Sequence, residues 1–219
     1  MPTRPAPVVD GSRGAKRWFF DVWSRFYDLP VVQRLTYRPV HDEILRVLGD
    51  GQSKMLLDLG CGTGLLSQRV RRELPGTRVV GCDFSYGMLQ RAMVAGEDSG
   101  WVQGDATRLP FCGACFDAVV STESFHWFPD QPAALAECFR VLAPGGRLLV
   151  ALVNPPATQV SDAMYLGSRL VGEPFYWPTR QRMRALVEAA GFRVAMQRRV
   201  YRLPAGILLP PVLTVAVRP

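Results

Sequence analysis

The sequence predicts an α/β fold, a doubly wound and mainly parallel sheet, on three observations. From Lys54 onward, short apolar runs alternate with amphipathic segments of helical length, the pattern of repeated strand–helix units. The first run, Met55–Leu59, empties into a glycine-rich turn, Gly60-Cys61-Gly62-Thr63-Gly64, that opens a helix. The last two strand-like runs, 192–201 and 208–217, follow one another across the short link Leu203-Pro204-Ala205-Gly206, so the final strand is expected to be antiparallel.

Each element follows from local chemistry. Residues 1–13, punctuated by Pro and Gly, read as a disordered tail ahead of a single domain, 14–219. Residues 14–50 form a helical N-terminal cap of two helices parted near Asp28-Leu29-Pro30. The second carries Val32, Leu35, Val40, Ile44, Leu45 and Leu48 on one face. The core, 54–153, then runs strand Met55–Leu59, helix Leu65–Glu73, strand 77–82, helix 86–94 capped by Ser85, and strand 101–103. Strand 116–121 follows, then helix 131–142 with Asp130 as cap and Pro132 in its first turn, and strand 147–153 after Pro144-Gly145-Gly146. Residues 155–178 break the rhythm. Their length and their Phe175-Tyr176-Trp177 triplet suggest a lid insertion. Thr179 caps a last helix that ends at Gly191.

Composition narrows the class. The 219 residues are 48% hydrophobic and 21% charged, ordinary globular usage. No apolar run approaches the ~20 residues of a membrane helix, and the opening residues do not read as a signal peptide, so a cytoplasmic protein is expected. The five cysteines are an odd set, which argues against a secreted disulfide framework. Cys112 and Cys115 form a C-x-x-C pair, but no further Cys or His stands at metal-site spacing, so no metal is expected and the pair reads as a turn around Gly113. The net charge of +7 concentrates after Ala151, where Arg169, Arg180, Arg182, Arg184, Arg193, Arg198, Arg199, Arg202 and Arg218 outnumber Asp162, Glu173 and Glu188. A solvated basic face is the plain reading. Peripheral contact with an anionic membrane is the sharper one. The absence of an aromatic-interleaved motif argues against nucleic acid.

Three acids mark the candidate site. The turn is G-x-G-x-G with Leu65 where a dinucleotide fingerprint would have its third glycine. Asp58, two residues before Gly60, would repel a pyrophosphate and favours a cationic ligand instead. Asp83 follows the second strand about twenty residues past the turn, where a carboxylate accepts from ribose hydroxyls or simply ends the strand. Phe84 and Met88 are placed to flank an adenine. Asp105 follows the third strand, suited either to an adenine amino group or to forming its own turn.

These segments, together with 104–111, Phe116-Asp117-Ala118-Val119-Val120-Ser121 and Glu137-Cys138-Phe139-Arg140-Val141-Leu142-Ala143-Pro144-Gly145-Gly146, resemble class I S-adenosylmethionine-dependent methyltransferases of the ubiquinone/menaquinone-methyltransferase-like (type 11) branch. The resemblance spans 55–153. It implies a Rossmann-like sheet of seven strands in the order 3-2-1-4-5-7-6, strand 7 antiparallel, with S-adenosylmethionine as donor and S-adenosylhomocysteine as product. It implies donor contacts at Asp58, Gly60, Cys61, Gly62, Gly64, Asp83, Phe84, Met88, Gly104, Asp105, Ala106 and Ser121. Tyr27-Asp28 resembles the segment that folds over the donor in such enzymes.

The loop after strand four, Ser121-Thr122-Glu123-Ser124-Phe125-His126-Trp127-Phe128, lies beside the transferable methyl in that family. His126 is the leading general base, with a structural imidazole as its alternative and Glu123 as a weaker base. Trp127 offers a π-face to a sulfonium or fills core. Tyr27, Trp127 and Tyr176 are the expected acceptor contacts. The expected acceptor is a small, partly apolar metabolite methylated at oxygen, nitrogen or carbon. A lipid or quinone acceptor, and a non-catalytic donor-binding subunit, are the rival readings. The sequence leaves the oligomeric state open.

Overall fold

The computed structural model describes residues 37–49, 53–95, 100–170, 174–200 and 211–219. The expectations for the 1–13 tail, for the first cap helix with Tyr27, and for the 203–206 link lie outside the described residues. Helix α1 (Arg38–Leu48) is followed by β1 (Met55–Leu59), α2 (Leu65–Glu73), β2 (Arg78–Asp83), α3 (Tyr86–Ala95), β3 (Gly100–Gln103) and β4 (Phe116–Thr122). A single 3-10 turn, Phe125–Trp127, leads into α4 (Gln131–Val141), β5 (Leu142–Val153), α5 (Thr158–Leu170), α6 (Arg180–Ala189), β6 (Arg193–Arg199) and β7 (Pro211–Val217).

The sheet order is β3-β2-β1-β4-β5-β7-β6, as the resemblance implies. Strands β1 to β5 pair in parallel, while β7 runs antiparallel to both β5 and β6. Alternate residues of each strand feed opposite faces. Leu56, Ala118, Val120, Leu149 and Ala151 pack under α1 and α2 with Ile44, Leu48, Leu66 and Val70. Leu57, Val119, Leu148, Val150 and Leu152 pack under α4 and α6 with Leu135, Cys138, Met183 and Val187. A sheet covered on both faces needs strands that are apolar throughout, which is how they read.

The caps form as their chemistry predicts. Ser85 Oγ accepts from Met88 N at 3.3 Å, Asp130 from Ala133 N at 2.9 Å, and Thr179 Oγ1 from Arg182 N at 3.1 Å. The insertion is structured where it is described. Residues Thr158–Leu170 are helical, and Asn154 Nδ2 donates to Pro178 O at 2.7 Å, bringing its two ends together at the carboxyl edge of the sheet. Cys112 and Cys115 are free thiols, with Cys115 Sγ donating to Cys112 O at 2.8 Å.

Candidate functional site

The glycine turn is locked to the strand beside it. Gly60 N and Cys61 N both donate to Cys82 O, at 2.7 and 3.2 Å. Gly60, Gly62 and Gly64 hold φ of +72°, +56° and +78°, a region that side chains disfavour. Their surroundings differ. A Cβ on Gly60 would stand 2.4 Å from Ser124 Oγ, and one on Gly64 would stand 2.3 Å from the Trp101 ring. A Cβ on Gly62 would meet nothing within 4 Å among the described residues, so this residue faces open space there. Trp101 also covers Gly81, 2.3 Å from its would-be Cβ. The indole thus fills the room that two glycines leave, a packing partner that no local spacing singles out.

Three carboxylates end three neighbouring strands. Asp58 is fully buried. Its Oδ2 accepts from Ser67 Oγ at 2.6 Å, and its Oδ1 has no partner among the described residues. Burial pushes its pKa up to about 6, the Ser67 bonds opposing and Asp83 reinforcing the rise. Asp83 accepts from Gly62 N and from Ser85 N, each at 2.8 Å, which ties the second acid to the open glycine. Burial raises its pKa too, against those backbone bonds. Asp105 Oδ1 takes both Thr107 N (2.8 Å) and Thr107 Oγ1 (2.7 Å), so the turn-forming role foreseen for it is real. The acids converge on one thiol: Cys82 is pushed up to about 12 by burial and then by Asp83, Asp105 and Asp58.

The other expected donor contacts border this edge. Phe84 is 43% exposed, a free aromatic face, whereas Met88 and Ala106 are buried. Cys61 is buried, and burial first, then Asp58 and Asp83, drive its thiol well above the usual range. Gly104 has Cys82 Sγ 2.8 Å from a would-be Cβ. Ser121 Oγ shares a 2.8 Å bond with Ser124 Oγ, which reaches Leu59 O at 3.2 Å and braces the turn from the β4 side. Glu137 and Arg140 brace the Asp105 loop. Glu137 accepts from Leu109 N at 2.7 Å, and Arg140 donates to Phe111 O at 2.8 Å and Leu109 O at 3.1 Å.

On the acceptor side, Glu123 leaves β4 at φ +50° and donates its N–H to Ala151 O at 2.8 Å. The chain then turns through His126, whose imidazole stacks at 4.9 Å from Trp177, 5.1 Å from Trp127 and 6.0 Å from Phe175. Phe175 closes the cluster at 4.7 Å from Trp177 and 5.1 Å from Trp127. Tyr176 N donates to His126 O at 2.9 Å, stitching the insertion to this loop. The Tyr176 ring is buried toward Tyr165, at 6.1 Å, and its neighbours Phe175 and Trp177 are the ones that reach His126. Burial lowers the His126 pKa to about 3, so the free protein holds a neutral, weakly basic imidazole there. Its Nδ1 and Trp177 Nε1 are both buried without a partner among the described residues.

A family model described as a methyltransferase domain matches residues 57–150. The demethylmenaquinone methyltransferase of Thermus thermophilus is 35% identical over 64% of this chain and 75% of its own length. The malonyl-[acyl-carrier protein] O-methyltransferase of Hahella chejuensis is 32% identical over 65% of this chain and 50% of its own. The chain thus spans half to three quarters of the length of these relatives. The [4+2]-cyclase SpnF superposes with a TM-score of 0.76 over 99% of both chains at 18% identity, a likeness of fold alone.

Proposed function

Since this chain belongs to the class I S-adenosylmethionine-dependent methyltransferases, in the branch of the quinone enzymes, we propose that it methylates a small, partly apolar acceptor held between the β4–α4 loop and the 155–178 insertion. The residues present fit the donor. An orphaned, fully buried Asp58 Oδ1 suits an ammonium, and an open Gly62 lets a ligand approach the backbone. Each carboxylate oxygen accepts more than one bond, so Asp83 has capacity left for ribose hydroxyls beside its bonds to Gly62 and Ser85. Asp105 Oδ2, without a partner among the described residues, is available to an adenine amino group. Phe84 offers the ring a face.

When bound, S-adenosylmethionine supplies a methyl carbon on a sulfonium that is already a good leaving group. The protein's work is therefore to orient the acceptor and exclude water. Trp127, Phe175 and Trp177 wall off solvent around His126. Trp177 Nε1 can only donate, while a neutral His126 either donates or accepts. Together they suit an acceptor oxygen that carries its own proton, with His126 orienting it and taking up its proton only as transfer proceeds. The observation that carries this reading is the pair of unsatisfied buried nitrogens inside one aromatic cluster.

The names of the relatives favour a second reading, a lipid-tailed quinol as acceptor. Incubating the protein and donor with a metabolite extract and with isoprenoid quinols, read by mass spectrometry for a gained methyl, tests both. A methylated small hydroxylated compound supports the first and a methylated quinol the second. Donor left intact across both panels, with donor binding preserved, would return the protein to the role of a non-catalytic binding subunit.

A further inference from the structure

Helix α5 is built inside out. The residues it buries are Ser161 and Ser168, with Met164 and Tyr165 half-buried beside them. The face it turns to solvent carries an apolar stripe that starts beside exposed Gln159: Val160 is 39% exposed, Leu166 61% and Leu170 83%, with exposed Ala163 between them. At helical spacing these four fall on one stripe. The stripe lies beside the acceptor cluster, since Ser168 on the inner face accepts from Phe175 N at 3.2 Å and Tyr165 packs on Tyr176.

The strand register gathers positive charge at the same edge. Arg199 pairs across β7 at the level of Leu152, at the carboxyl end of β5 from which the insertion departs. Arg198 is adjacent and partners Glu43. Arg180 opens α6 at this end, its guanidinium on Gln197 O at 3.0 Å. Arg169 lies over the Tyr165 ring on α5 itself. All four are exposed, and the acid exposed on α5 is Asp162.

We propose that the outer face of α5 docks on an anionic lipid surface, Leu166 and Leu170 entering the acyl boundary while Arg169, Arg180 and Arg199 meet the headgroups. An apolar stripe flanked by arginine is what an interfacial helix needs, and the adjoining basic edge selects anionic over neutral lipid. The arrangement brings the acceptor cluster to the membrane face. It does not depend on which acceptor is methylated, because docking requires neither donor nor acceptor.

The test is co-sedimentation of the full chain, without donor, on vesicles of phosphatidylcholine alone and with about one third phosphatidylglycerol. Binding should require the anionic lipid, weaken as salt is raised, and fall roughly tenfold or more in L166S/L170S. These side chains are exposed, so unchanged circular dichroism and donor affinity check that the variant is folded. No binding to anionic vesicles overturns the proposal, as does binding that the leucine pair does not affect, since charge alone would then account for it. A wild-type dimer that L166S/L170S converts to monomer, without vesicle binding, overturns it in favour of a second copy on this face. Vesicle binding with no acceptor methylated leaves the docking standing and sinks the functional reading. The converse result does the opposite.

Discussion

At the scale of single residues, the site holds ionisable groups in their uncomfortable forms. Asp58 has a folded pKa of about 6 against 3.8, so the protonated acid stabilises the free fold at low pH and that contribution is lost as pH rises through about 6. Asp58→Asn should keep the Ser67 bond, melt with the parent near pH 4, and become more stable by about 3 kcal/mol near pH 7. Calorimetry should show the same variant binding donor more weakly, because the ammonium loses its partner. Asp83→Ala should abolish measurable donor binding; unchanged affinity would remove it from the site. His126 carries the opposite shift. With a pKa of about 3 it should impose no limb on the turnover–pH profile near pH 7. His126→Ala should lower kcat with donor affinity intact, and a neutral-pH limb that vanishes in this variant would show a working base instead. Trp177→Phe keeps an aromatic face but removes the N–H with part of the indole, so the acceptor KM should rise about three- to tenfold with donor affinity unmoved.

At the scale of elements, the glycine turn separates strain from crowding. Gly64→Ala meets both a left-handed φ and the Trp101 ring, and should cost about 2–4 kcal/mol of stability. Gly62→Ala shares the φ but meets nothing within 4 Å, so it should cost only about 1–2 kcal/mol by thermal melting while weakening donor binding far more than its stability loss explains. This turn was legible because glycine spacing and the flanking strand and helix are all local signals. The three caps at Ser85, Asp130 and Thr179 were legible for the same reason. Helix α5 was not. Its inner face carries Ser161 and Ser168 and its outer face Leu166 and Leu170, so a rule that places leucine inside misreads it. Nor could spacing reveal that Phe175 and Trp177 would meet His126 some fifty residues earlier, or that Trp101 would fill the gaps at Gly64 and Gly81, since such contacts exist only after the sheet has assembled.

At the scale of the whole molecule, two buried histidines oppose two buried acids in the response to pH. His41 is lowered to about 4, chiefly by burial and then by Arg69, and His126 to about 3 by burial. Their neutral forms stabilise the fold above about pH 6.5, and this support fades as pH falls toward those values. Asp58 and Asp83 shift the other way. The Glu73 and Glu137 carboxylates, held low by Arg69 and Arg140, side with the histidines, so the donor-free protein should melt at lower temperature near pH 4.5 than near pH 7, and a melting point that rose on acidification would contradict the burial of both imidazoles. The order of strands has a consequence for how the molecule is made. Strand β7 lies between β5 and β6 although both precede it in the chain. On the ribosome, β5 therefore waits with one flank bare, offering the apolar run Leu148 to Leu152 to any passing strand, and β6 has nothing to join until residues 211–217 have left the exit tunnel. Nascent chains halted before that point should recruit chaperones or clump, and those released after it should not.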